Sequence, residues 1–139
     1  MCGAVRYTFS EAPPDYGFCH CDLCQKASGS AFTANIPIAR SDITIEGEAS
    51  IREYESSEGK LRCFCSNCGS PLYAYLRSSP DILRIRLGSL DTAFDQPPAC
   101  HFFTGDQAPW FKGSQSAPSF EAWPDKAVLV LRGSKHAET

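Results

Sequence analysis

A mainly β fold, with short antiparallel strands in more than one sheet and cysteine-rich turns at strand ends, is predicted by three observations. Apolar residues alternate with polar ones in several runs of four to eight residues, the period of a half-buried strand. Glycine, proline and small polar residues punctuate those runs at short intervals. No stretch before the C-terminal tail carries the apolar spacing of a three-turn amphipathic helix, so layers of sheet are left to enclose the core.

The strands are predicted in order. Val5, Tyr7 and Phe9 alternate with Arg6 and Thr8, and the run ends in Ser10-Glu11-Ala12-Pro13-Pro14-Asp15-Tyr16-Gly17, which is rich in turn formers. Phe18 leads into the first cysteine group, and Gln25 to Gly29 suits one helical turn closed by the glycine. Phe32, Ala34, Ile36 and Ile38 mark a second strand, in which Pro37 predicts an edge position because proline donates no ladder hydrogen bond. Ile43 to Ile45 and Ile51 to Tyr54 flank a Glu46-Gly47-Glu48 turn. Ser56 to Lys60 reads as a hairpin tip, followed by strands over Leu61 to Cys65, Leu72 to Leu76 and Ile82 to Leu87. In the last of these, Leu83, Ile85 and Leu87 take one side and Arg84 and Arg86 the other. Ser114 to Ser119 reads as a loop and Val128 to Leu131 as a final apolar segment.

With 139 residues the chain suits one domain, assigned here to residues 1–133, with 134–139 as a frayed tail. The formal net charge of −3 and the absence of a basic run argue against a nucleic-acid partner. No apolar run reaches the roughly 20 residues of a membrane span, and the first residues lack the apolar core of a signal peptide, so no membrane association and a cytoplasmic location are expected.

Eight cysteines set a disulfide framework against metal sites. Metal is the better reading, because disulfide-dense scaffolds are typically small and exported, whereas these thiols cluster at ligand spacing. Cys19, Cys21 and Cys24 fall within six residues, and Cys63, Cys65 and Cys68, followed by Gly69, repeat the device. Zinc takes thiolates tetrahedrally, and one bent loop supplies several closely spaced sulfurs. Gly69 stands where such a turn needs positive φ.

Taken in order, Cys2-Gly3-Ala4-Val5-Arg6-Tyr7, Cys19-His20-Cys21-Asp22-Leu23-Cys24 with Ser28-Gly29, Phe64-Cys65-Ser66-Asn67-Cys68-Gly69-Ser70, and His101-Phe102-Phe103 before Ala108-Pro109-Trp110 form a pattern. It resembles the glutathione-dependent formaldehyde-activating enzyme family, which includes the centromere protein V-like domains. The resemblance implies an Mss4-like fold with two zinc ions, a catalytic one on Cys19, Cys21 and Cys24 and a structural one on Cys2, Cys65 and Cys68. It implies a carbon–sulfur lyase of the S-(hydroxymethyl)glutathione synthase type, taking a small thiol such as glutathione and an aldehyde such as formaldehyde. The alternative is a zinc-stabilised interaction module without turnover.

The family pattern usually opens with C-x-C-G, of which Cys2 supplies only the second cysteine. Cys63, on the same strand face as Cys65, is the candidate fourth ligand of the structural site, against a water or a residue upstream. The three-cysteine site is alternatively closed by His20, His101 or Cys100. Cys100 otherwise reads as a small buried hydrophobe. His101 reads equally as a residue that orients a neighbour or lines the cleft and as a core or surface residue. Trp110 and Phe111 suit core packing or a pocket wall, and Lys26 and Arg40 suit solvated surface charges or partners for substrate carboxylates.

Overall fold

Alternating side chains build the fold that the periodicity predicts. The computed structural model describes residues 1–9, 15–112, 117 and 121. Two compact units divide the chain, Met1–Pro109 and Trp110–Thr139. The Ser114 to Ser119 loop falls almost wholly outside the described residues, as do the Val128 to Leu131 segment and the 134–139 tail.

The first unit holds nine strands and one α-helix among the described residues. They are β1 (Arg6–Phe9), β2 (Gly17–Cys19), α1 (Asp22–Ser28), β3 (Thr33–Ala39), β4 (Ile43–Glu46), β5 (Ile51–Ser57), β6 (Lys60–Cys65), β7 (Pro71–Leu76), β8 (Ser79–Arg86) and β9 (Cys100–Phe102). β1 and β4 form an antiparallel pair with Arg6 opposite Glu46 and Phe9 opposite Ile43. The other seven form one sheet in the order β5-β6-β7-β8-β3-β2-β9. All its neighbours are antiparallel except β2 and β9, which run parallel with Gly17 opposite Cys100 and Cys19 opposite Phe102.

Ile36, Ile38, Leu72, Tyr73, Leu83 and Ile85 on the large sheet bury one face, against which Val5, Tyr7, Phe9 and Ile45 of the small sheet pack. Ile85 is fully buried. Ile85→Ala is therefore expected to cost about 2–5 kcal/mol, from lost transfer energy and the cavity left behind, read as a lower urea midpoint.

The edge position predicted from Pro37 is corrected, since β3 lies inside the sheet between β8 and β2. Its pairing with β2 covers only Thr33 to Asn35, while its pairing with β8 runs from Asn35 to Ala39. Pro37 thus lies past the end of β2 and pairs with β8 alone, opposite Arg84.

Gly47, between β4 and β5, has φ of 77°, and a Cβ there would stand 1.9 Å from the Ala4 carbonyl oxygen. Left-handed backbone and a clash with main chain act together. Gly47→Ala is expected to destabilise the protein by more than about 2 kcal/mol, checked by thermal melting, whereas a change at the exposed Glu48 should move it little.

Candidate metal centre

Local folding brings Cys19, Cys21 and Cys24 together from three different backbone environments. Cys19 ends β2, Cys21 is the extended residue capping α1, and Cys24 lies in the first turn of that helix. The turn forms because the Cys21 carbonyl accepts hydrogen bonds from the backbone N–H groups of Cys24 (2.9 Å) and Gln25 (3.0 Å). Gly29, at φ of 66°, closes the helix after Ser28. Gln25 then ties the loop down, its Nε2 donating to the carbonyls of His20 (2.6 Å) and Asp106 (2.8 Å).

The second group forms at the β6–β7 turn. Cys65 ends β6, its carbonyl accepts from the Gly69 N–H at 2.8 Å, and its own N–H donates to Ser70 at 2.9 Å. Gly69 has φ of 75°, as the sequence pattern predicts for this tight turn. Cys2 joins Cys65 and Cys68 from the chain start, a sequence separation of 63 residues from Cys65.

Within each triad the sulfurs lie within 4.8 Å of one another. Sulfurs held tetrahedrally on one ion at about 2.3 Å stand roughly 3.8 Å apart. Cys19 and Cys21 are separated by 3.6 Å and Cys2 and Cys65 by 3.7 Å. Both clusters can therefore hold a metal ion, and all eight cysteines are free thiols.

The structure does not bring Cys63 to the second triad. Its Sγ donates to Glu53 Oε1 at 3.8 Å, and burial, with the Glu53 carboxylate beside it, pushes its thiol up to about 12. Residues two apart on a strand share a face yet stand roughly 6.5–7 Å apart along it. Of the other candidates to complete the first triad, Cys100 is exposed, against its reading as a buried hydrophobe. His20 is fully buried.

His20 Nε2 and His101 Nδ1 are 2.8 Å apart, with their rings stacked at 5.1 Å and 18°. The contact depends on the parallel pairing of β2 with β9, which also lets the His20 N–H donate to the Phe102 carbonyl at 2.9 Å. Burial, and then His101 beside it, lowers the His20 pKa and keeps that ring neutral.

Electrostatics differ sharply between the sulfurs of the first triad. Burial drives the Cys19 thiol up to about 12. Burial also opposes ionisation of Cys24, but hydrogen bonds from Thr33, Cys21, Cys19 and Arg62 outweigh it and hold that thiol near 7. The Arg62 contact is direct, with Nη2 3.9 Å from Cys24 Sγ. In the second triad the Cys2 thiol is lowered to about 6, chiefly by the Asn67 side chain and the Ala4 backbone.

Sequence reasoning missed Arg62, Thr33 and the His20–His101 pairing, because each rests on a contact between distant strands. The remaining candidates are surface groups. Lys26 pairs with Asp22 one helical turn away, Arg40 donates to the Pro80 carbonyl and covers Tyr75, and Trp110 is 67% exposed. No helix among the described residues is long and apolar enough to cross a membrane.

Comparison with known proteins shows the family and the fold. The sequence profile of a family described as glutathione-dependent formaldehyde-activating enzyme matches residues 1–106. A curated protein of Halomonas elongata, provisionally named glutathione-dependent formaldehyde-activating enzyme, is 24% identical over 137 residues, covering 91% of this chain and 87% of the relative. A crystal structure of a Rhodobacter sphaeroides protein shares the fold, with a TM-score of 0.57 and 19% identity over 72% of this chain and 94% of that one.

Proposed function

Because the chain belongs to the glutathione-dependent formaldehyde-activating enzyme family, we propose that it is a zinc-dependent carbon–sulfur lyase joining a small thiol to an aldehyde. Cys19, Cys21 and Cys24 hold the catalytic ion, and Cys2, Cys65 and Cys68 hold a structural one. The thiol is glutathione or a close relative, and the aldehyde is formaldehyde. The observation that carries the reading is the convergence of the Cys19, Cys21 and Cys24 sulfurs with the Arg62 guanidinium set directly against Cys24. Three protein ligands leave a tetrahedral ion one position for a guest, whereas a fourth would close it.

When bound, zinc supplies a positive charge that favours the thiolate form of a coordinated substrate thiol near neutral pH. The chain supplies the rest. Arg62 sets a guanidinium beside Cys24 and offsets part of the negative charge that three thiolates gather. His20 and His101 brace the loop from behind, and Gln25 fixes its carbonyls, so the three sulfurs are held before substrate arrives. In the addition, the substrate sulfur forms a bond to the aldehyde carbon and gives up its proton. The carbonyl π pair moves to oxygen, which takes a proton and becomes the hydroxyl of the hemithioacetal. The reverse direction is the lyase reaction.

Native mass spectrometry with and without glutathione tests the reading, because it counts metal and bound thiol together. Two zinc ions per chain and one glutathione are expected, with formaldehyde adding the mass of a hydroxymethyl adduct. A folded protein that carries zinc yet takes no thiol at millimolar concentration would favour a non-catalytic module. A folded protein without zinc removes the proposal altogether.

A further inference from the structure

The seven-stranded sheet has a second face, and beside the Cys19, Cys21 and Cys24 cluster its charge is of one sign. On β6 and β8 the residues that alternate with the core include Lys60, Arg62, Arg84 and Arg86. Arg62 stands opposite Ala74, and Ala74 opposite Arg84, so the two guanidinium positions share a row across β7. None of the four forms an ion pair among the described residues, where the ion pairs are Arg6 with Asp91, Lys26 with Asp22 and Arg77 with Glu55. Four cations without a carboxylate are unexpected in a chain of net charge −3.

Arg86 is the most informative of them. It is only 8% exposed, and its Nη1 donates to Asn35 Oδ1 at 2.9 Å, yet its Nε is buried with no hydrogen-bond partner. The Nη1 of Arg84 is in the same condition. A buried guanidinium donor without an acceptor is costly, and the group cannot escape by losing its proton. Arg86 lines a cavity of about 340 Å³ together with Ser28, Phe32, Thr33 and Ser89. Thr33 also hydrogen-bonds Cys24, so this cavity adjoins the first sulfur cluster.

The thiolates do not account for all of this charge. A divalent ion with three thiolates carries net −1, and Arg62 already lies against Cys24. Lys60, Arg84 and Arg86 remain in excess. Burial, followed by the repulsion of Arg84 and Arg62, lowers the Lys60 ammonium to about 8.

We propose that the cavity beside the cysteine cluster is a carboxylate subsite in which Arg86 donates to an acid group of the bound thiol, within the positive field of Arg62, Arg84 and Lys60. The inference rests on the thiol-binding reading above and names the residue that would receive an acid group of the glutathione-like thiol proposed there. Such a group supplies the acceptor that Arg86 Nε lacks and the counter-charge that the strands lack. A neutral thiol reaches the same sulfur cluster but leaves both wants unmet.

Calorimetric titration of the zinc-loaded protein with three probes tests this. Glutathione carries the thiol and both carboxylates, its diethyl ester keeps only the thiol, and S-methylglutathione keeps only the carboxylates. The ester is expected to bind roughly tenfold or more weakly than glutathione, since one charge-assisted hydrogen bond is lost. Added salt should weaken glutathione more than the ester. R86Q should bring glutathione to the level of the ester without changing the ester. Equal affinities for glutathione and its ester overturn the subsite and leave the thiol site intact. Binding of S-methylglutathione that depends on Arg86, with no thiol contribution in the other probes, supports the subsite and removes the thiol reading. No binding of any probe removes both. Should R86Q fail to fold, the ester comparison on the unaltered protein decides.

Discussion

Cys21→Ala is expected to release the metal of the first cluster and to abolish thiol binding, while leaving the chain folded. Structural zinc in small peptides is bound by about 10–16 kcal/mol, so one thiolate among three or four accounts for roughly 3 kcal/mol or more, a factor above a hundred in affinity. Cys21 is the position to choose because its backbone carbonyl, not its side chain, nucleates α1, and alanine keeps that carbonyl. The helix should therefore survive the change. The count of zinc per chain should fall from two to one, and the response of tryptophan fluorescence to glutathione should vanish. A variant that keeps both ions and still binds glutathione would refute the assignment of Cys19, Cys21 and Cys24 as the catalytic centre.

Loss of the second cluster should act on stability instead. Cys2, Cys65 and Cys68 bring the chain start against the β6–β7 turn, next to Cys65, which belongs to the main core. Without an ion, three thiols packed within 4.8 Å have no partner that repays their confinement. Cys68→Ala, or a strong chelator, should cost several kcal/mol, which at about 2–8 °C per kcal/mol lowers the melting temperature by 10 °C or more. The Cys21 variant serves as the control. It should lose one ion with a much smaller drop in melting temperature. Equal drops for the two variants would mean that both clusters are structural, and an unchanged melting temperature in Cys68→Ala would mean that the second holds no ion.

Placing the charges also bears on which parts of the sheet are interior. β8 reads in sequence as a strand with a core side and an arginine side, and so it is, with Leu83 and Ile85 fully buried. The arginine side is covered as well, since Arg86 is only 8% exposed. Alternation distinguishes two faces of a strand, but it does not say what lies over each one.

The sequence by itself determined whatever depends on neighbours along the chain. Period-two alternation located seven of the nine strands, the three-residue β2 and β9 being too short to carry it, Gly69 and Gly29 announced turns with positive φ, and Cys19, Cys21 and Cys24 were close enough for one loop to gather them. Tertiary structure decided everything that depends on register between distant strands. It joined Cys2 to Cys65 and Cys68 while leaving Cys63 with Glu53, because sharing a strand face does not fix a side chain's distance from a third residue. It set β3 inside the sheet despite Pro37, because β2 is too short to reach that residue. Parallel pairing of β2 with β9 stacked His20 on His101, and the β6-β7-β8 ladder gathered the basic side chains beside Cys24. Pairings of this kind are set by burial summed over whole sheets, and no local stretch of sequence carries that sum.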